Sequence, residues 1–296
     1  GAAVGRAAAG RIGPAAGGEG EGVGSGGQTV GAPWAAALVY GFAWMTVFLI
    51  FAGMIMATLF ALPMLRAPIR TAKAEIEESM GQIVGRAIRD PSFALIFIGF
   101  FSCGYQLGFI TAHFPAFVTE LCGPIAPGSL LHGMGITTTS ALGAVAISLI
   151  GLANIVGTIT AGWLGNHFPK RYLLALIYTG RTLAAGLFII LPITPESVIA
   201  FSIVMGALWL ATVPLTSGLV GQIYGLRYMG TLYGLVFFSH QLGSFIGVWL
   251  GVALYDIYGD YTAVWWIGVA VGALSAIVHL PIKETPLKDR MQAAAA

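Results

Sequence analysis

The sequence predicts an all-α polytopic membrane protein with about seven transmembrane helices, and three observations carry that reading. Of its 296 residues, 57% are hydrophobic and only 9% are charged, where a soluble domain carries roughly 25% charged residues to clothe its surface. The apolar residues gather into stretches near the ~20 needed to cross about 30 Å of hydrocarbon. Lys and Arg collect in alternate connecting segments, as the positive-inside rule requires of a multi-pass chain. Hydrocarbon offers no partner to backbone N–H and C=O groups, so each span has to pair its own, which selects helices. A net charge of +2 gives no basic excess for phosphate contacts. That argues against a nucleic-acid partner and leaves the lipid bilayer as the surroundings.

Residues 1–33 are rich in Gly and Ala, as in Gly17-Gly18-Glu19-Gly20-Glu21-Gly22. Such a stretch loses too much backbone entropy to hold a helix alone, so it reads as disordered or as a degraded helix. It lacks a signal peptide's apolar core, and opening on Gly1 fits both a removed initiator Met and a piece of a longer chain. Residues 34–65 hold the first span, 42–64, with apolar residues 32–41 before it as the stub of an eighth. Residues 66–90 mix Arg66, Arg70, Lys73, Arg86 and Arg89 with Glu75, Glu77 and Glu78. They read either as an amphipathic cytoplasmic helix joining two halves or as a solvated linker. Residues 91–283 hold six more spans, at 92–118, 140–165, 172–192, 198–219, 230–255 and 262–282, and 284–296 form a tail. Pro91, Pro124, Pro169, Pro192, Gly259 and Pro281 punctuate the joints.

Charge orients the bundle. Eleven of the 14 basic residues lie on one face, in the 66–90 segment, at Lys170 and Arg171, at Arg227, and at Lys283, Lys288 and Arg290. The opposite loops, 119–139, 193–197 and 256–261, carry Glu120, Glu196, Asp256 and Asp260 and no Lys or Arg. The first face is therefore expected in the cytoplasm, with the C-terminus inside and the cell (inner) membrane as location.

No GxSxG, HExxH or phosphate-binding Lys motif occurs, so no enzymatic activity and no cofactor is implied. Gly22, Gly24 and Gly27 match GxGxxG, but in Gly-rich sequence without a preceding strand the pattern is a chance one. Cys103 and Cys122 fall at opposite ends of one span, roughly 28 Å apart at about 1.5 Å per residue, too far to bridge. No Cys and His spacing suggests a metal.

Polar residues inside spans carry more information, because each is costly in hydrocarbon unless it faces a partner or a wet cleft. At helical spacing, Gln106 and His113 share a face of the second span, and Asn154 and Thr158 one of the third. Trp209, Thr212 and Thr216 share a face of the fifth, and His240 and Ser244 one of the sixth, with Gln241 alongside. Each stripe has two readings, a helix–helix hydrogen bond or the wall of a shared cavity, and four stripes together favour the cavity. His113 and His240 are the candidates for proton coupling. Arg181 is the one basic residue deep in a span. No Asp or Glu lies at its depth, which leaves neighbouring carbonyls and polar side chains, a carboxylate of absent helices, or an anionic substrate as its partner. Gly104 and Gly108, and Gly243, Gly247 and Gly251, form small-residue stripes suited to close helix packing.

The turn Gly162-Trp163-Leu164-Gly165-Asn166-His167-Phe168-Pro169-Lys170-Arg171 resembles the G-x-L-[AG]-D-R-x-G-R-R loop of the major facilitator superfamily, in its second-half copy. Asn166, His167 and Pro169 replace the pattern's Asp, Arg and Gly, so the Asp carboxylate of the pattern has no counterpart at Asn166. Cys103-Gly104-Tyr105-Gln106, His113-Phe114-Pro115, Asn154-Ile155-Val156-Gly157 and Ser239-His240-Gln241-Leu242-Gly243 are similar to bacterial monocarboxylate-porter-like and sugar-efflux-like members. The resemblance spans residues 40–285 and implies a fold of twelve helices in two six-helix halves, with substrate alternately exposed between them. This chain then supplies the family's sixth helix and the six of its second half, and transport requires an N-terminal half. The implied function is secondary transport of a small organic solute, a monocarboxylate among the candidates, coupled to protons or by exchange. The rival is a non-transporting membrane interaction module or inactive half. The site residues that follow are Gln106, His113, Asn154, Arg181, Trp209, Thr212, His240 and Gln241, with Gly162, Gly165, Asn166, Lys170 and Arg171 as the conformational loop.

Overall fold

The computed structural model describes residues 79–295 and, of 29–60, all but 30, 32, 33, 36 and 40. The expectations for residues 1–28 and 61–78 lie outside the described residues. Eleven helices are labelled here in chain order from Trp44: α1 (Trp44–Ala57), α2 (Met80–Arg89), α3 (Pro91–Leu121), α4 (Leu130–Gly133), α5 (Thr139–Leu164), α6 (Lys170–Ile190), α7 (Pro195–Leu208), α8 (Thr212–Tyr224), α9 (Met229–Tyr258), α10 (Thr262–His279) and α11 (Leu287–Ala295).

The helices start where the sequence supplies acceptors for the first free N–H groups. Asp90 caps α3 ahead of Pro91 at its first position, Thr138 caps α5, and Ser79 with Gln82 forms a capping box on α2. Thr194 and Ser197 do the same for α7, again with Pro195 leading the helix. Gly225 and Gly259, at φ of 90° and 74°, end α8 and α9 in a conformation that other residues adopt only with strain.

Among the described residues, six helical segments are long and apolar enough to cross a membrane, α7 and α8 counting as one, and the Trp44–Phe60 segment is apolar but shorter. The expected first span, 42–64, is thus helical in α1 and continues as a tight turn over 58–60. The described part of the 66–90 segment is α2, which buries Ile83 and Ala87 and exposes Arg89, so this part is an amphipathic helix. The expected span 198–219 lies within the Pro195–Tyr224 segment, which is broken in its middle, because α7 stops at Leu208 and α8 begins at Thr212.

Three helix pairs organise the bundle, α3 with α9, α6 with α10 and α5 with α7. The two Gly stripes interlock to make the first pair. A Cβ on Gly104 would strike the His240 carbonyl, and one on Gly243 would strike the Phe101 carbonyl, so backbones touch where any side chain would hold them apart. Leu152, Val156, Leu176, Leu183 and Phe245 point outward, the disposition of a surface that meets lipid.

Candidate functional site

The break between α7 and α8 sits near the middle of a 30-residue span and would leave backbone groups unpaired inside the membrane. Two of the singled-out side chains repair it. Asn154 of α5, fully buried, accepts a hydrogen bond from the Leu210 N–H at 2.8 Å through its Oδ1. Arg181 of α6, also fully buried, donates from Nη1 to the Trp209 carbonyl at 3.4 Å. Pro214 lies in the first turn of α8, where its missing N–H costs nothing.

Arg181 Nη1 also lies 3.3 Å from Cys103 Sγ on α3, and Cys103 Sγ lies 3.4 Å from Thr212 Oγ1 at the start of α8. His240 of α9 adjoins Cys103, and its Nδ1 is 3.2 Å from Gln241 Oε1. Gln241 is exposed, so the group reaches from the buried core to the surface of the described bundle. Six of the eight expected residues, Asn154, Arg181, Trp209, Thr212, His240 and Gln241, therefore meet around the break. Trp209 takes part through its carbonyl rather than its ring. The group is not saturated: Arg181 Nε and Nη2, His240 Nε2 and Thr216 Oγ1 are buried without hydrogen-bond partners. A guanidinium with two nitrogens unused presents the fork that carboxylates match.

The other two expected residues lie elsewhere. Gln106 turns toward α10, donating from Nε2 to the Gly268 carbonyl at 3.0 Å. It borders a cavity of about 10 Å³ shared with Tyr105, Phe109 and Trp265, room for about one water. His113 Nε2 meets the Val248 carbonyl of α9 at 3.0 Å, and its ring packs between Phe109 and Tyr261. Both make helix–helix bonds. His113 and His240 lie apart along the bundle: His240 lies beside Gly104 and His113 beside Gly251, and the nine residues of α3 from Gly104 to His113 rise about 13 Å.

The loop after α5 is tied down at its cationic end. Gly162 and Gly165 are buried and Asn166 is exposed. Lys170 Nζ donates to Gln222 Oε1 at 2.8 Å. The Arg171 N–H donates to Glu284 Oε1 at 2.7 Å, and its Nη1 to the Ile282 carbonyl at 3.1 Å. Beside it is a cluster absent from the sequence reading. Asp90, 6% exposed, accepts from Arg290 Nη2 at 2.6 Å, Arg290 Nη1 at 3.0 Å and the Tyr224 hydroxyl at 2.8 Å. Burial opposes ionisation of Asp90, but hydrogen bonds from Arg290, Tyr224 and the Ser92 N–H outweigh it and hold the carboxyl below its ordinary range. Asp90 had a legible signal as the cap before Pro91; Arg290, far along the chain, had none. Cys103, seen in sequence as a cysteine too far from Cys122 to bridge and as part of the Cys103–Gln106 resemblance, had no signal for its place beside Arg181.

Among the described residues, six membrane-length helical segments around a polar, broken centre define a multi-pass membrane protein. The chain matches the family model of the Major Facilitator Superfamily over residues 2–247 and 117–294, and it belongs to that family. It is 24% identical over 204 residues to the uncharacterized MFS-type transporter YcxA of Bacillus subtilis, covering 67% of this chain and 45% of that protein. It is 28% identical over 150 residues to monocarboxylate transporter 12 of Xenopus laevis, covering 50% of this chain and 33% of the relative. The crystal structure of the major facilitator FucP in its outward conformation superposes with a TM-score of 0.59 at 13% identity, over 81% of this chain and 55% of FucP. The chain thus has the major facilitator fold and spans about half or less of the length of these curated relatives.

Proposed function

We propose that the chain forms the C-terminal portion of a secondary active transporter. It moves a small organic solute, a monocarboxylate, by alternating access against an N-terminal half, with protons as the coupling ion. In this reading the bundle lies in the cell (inner) membrane with α2, the Lys170–Arg171 turn and α11 on the cytoplasmic side, as the distribution of Lys and Arg favours. The names of the amphibian and Bacillus relatives agree with transport, and the former with a monocarboxylate.

The observation that carries the reading is Arg181. A charge at mid-span is costly in a membrane protein and marks a functional position by default. Here it sits at a helix break with two nitrogens unpartnered, and broken helices line the binding centres of many transporters. The test is uptake of labelled pyruvate by cells expressing the chain, alone and with a separately encoded N-terminal half. Uptake that Arg181→Gln abolishes and Arg181→Lys keeps in part, at equal membrane abundance, supports the reading. Equal uptake by the parent and Arg181→Gln overturns it, and no uptake in either arrangement favours the non-transporting module.

A further inference from the structure

Arg181 brings a permanent positive charge to the centre of the bundle, and something has to balance it when no solute is bound. The carboxylates do not reach it. Among the described residues the only buried one is Asp90, which is held by Arg290 at the cytoplasmic end of α3 and lies thirteen residues, about 20 Å of helix, from Cys103. The atoms in hydrogen-bond contact with the guanidinium are the Trp209 carbonyl oxygen and Cys103 Sγ. Of these, only the sulfur can carry a formal negative charge.

The surroundings of the thiol suit that role from every side. From α6 it meets Arg181, with Tyr178 close by, the guanidinium carbon 5.7 Å from the Tyr178 ring centre. From α8 the Thr212 hydroxyl is within 3.4 Å of the sulfur, and from α9 comes His240. His279 of α10 stacks on Tyr178, ring centres 5.0 Å apart, and completes the titratable groups around the cluster. Among the described residues, no Glu or Asp joins the cluster. His240 has its Nε2 unpartnered and its Nδ1 beside exposed Gln241, so a proton has a carrier between the surface and the sulfur.

We propose that Cys103 is the resident counter-ion of Arg181 and the proton acceptor of the transport cycle, a thiolate when the site is empty and a thiol when an anionic solute holds the guanidinium. The inference rests on the anionic-solute reading above. The exchange balances in charge and atoms. The Cys103 sulfur forms an S–H bond with one proton taken from the aqueous phase that admits the solute, while the solute's carboxylate accepts the N–H groups of Arg181. No electron moves, and the site is neutral in both states. Proton and anion are released together on the far side, which places the coupling site of the proposed transport at Cys103.

Cysteine labelled with carbon-13 at Cβ reports the ionisation directly, with Cys122, outside the Arg181 cluster, as the internal reference in the same purified chain. At neutral pH the Cys103 resonance is expected at a thiolate position, and at a thiol position in Arg181→Gln. Arg181→Lys keeps the charge and should keep the thiolate, which separates the loss of the ion pair from misfolding. Adding pyruvate should shift Cys103 to the thiol position, with uptake of one proton per bound anion from weak buffer, and Cys103→Ser should bind pyruvate without taking up a proton. A neutral thiol in the parent, or a thiolate that Arg181→Gln leaves in place, overturns the inference whatever the chain binds. A thiolate that depends on Arg181 but ignores pyruvate and lactate keeps the ion pair and overturns the anionic-solute reading instead.

Discussion

Asn154 shows how one side chain sustains an irregular backbone in a membrane. Its Oδ1 gives the Leu210 N–H a partner that α7 and α8 cannot supply. Thr158, one turn along α5, spends its hydroxyl on the Asn154 carbonyl of its own helix, which the helix already satisfies. The two polar residues of this stripe look alike in sequence and differ in what their loss exposes. Asn154→Leu is expected to destabilise the purified chain by about 1–2 kcal/mol, the upper range for such bonds in membranes, and Thr158→Val by about 0.6 kcal/mol or less. Reversible unfolding in detergent measures both, and equal effects would remove Asn154 from its supporting role. Sequence spacing identified Asn154, Arg181, Thr212 and His240 as residues needing partners. It could not tell them from Gln106 and His113, which bond the Gly268 and Val248 carbonyls away from the break, because the answer depends on which helix each face meets.

At the scale of elements, the Gly stripes and the helix break were unequally legible. Small residues four apart on α3 and α9 announced a close pairing, and the structure supplies it where Gly104 meets the His240 backbone. Gly234, on the same α9, has open space around it. Gly104→Ala should therefore separate α3 from α9 and lower the melting temperature in detergent, with loss of folded material. Gly234→Ala should be neutral, or stabilising by up to about 1 kcal/mol through helix propensity. A neutral Gly104→Ala would mean that the pair is not packed backbone to backbone. The α7–α8 break escaped the sequence reading because hydropathy runs on through Trp209-Leu210-Ala211 without a polar interruption. Pro214 was the available clue, since a proline without a free N–H belongs in the first turn of a new helix.

Across the whole molecule, the C-terminal segment closes one end of the bundle. Glu284 holds the Arg171 backbone, and Arg290 of α11 grips Asp90 at the start of α3. The sequence assigned residues 284–296 to a tail because charge and length were all it offered. The grip has a defined pH dependence. Asp90 titrates below its ordinary value of 3.8 in the folded chain, so the pair contributes fully above that value and is lost as pH falls through the lower, folded one. Hydrogen exchange in 287–295 should be slow at pH 7 and faster in Arg290→Gln, while the parent should lose protection only in strong acid. Loss of protection near pH 6 would assign the grip to another titrating group.

In the proposed function, Arg181 at the α7–α8 break is the place where an anionic solute is held. Equilibrium binding of labelled pyruvate to the purified chain tests this most directly, set against pyruvamide, its uncharged amide of similar shape. Saturable pyruvate binding that Arg181→Lys weakens and Arg181→Gln abolishes, with no binding of the amide, is the expected result. Binding of pyruvate that survives unchanged in a folded Arg181→Gln, or equal binding of the amide, would contradict it.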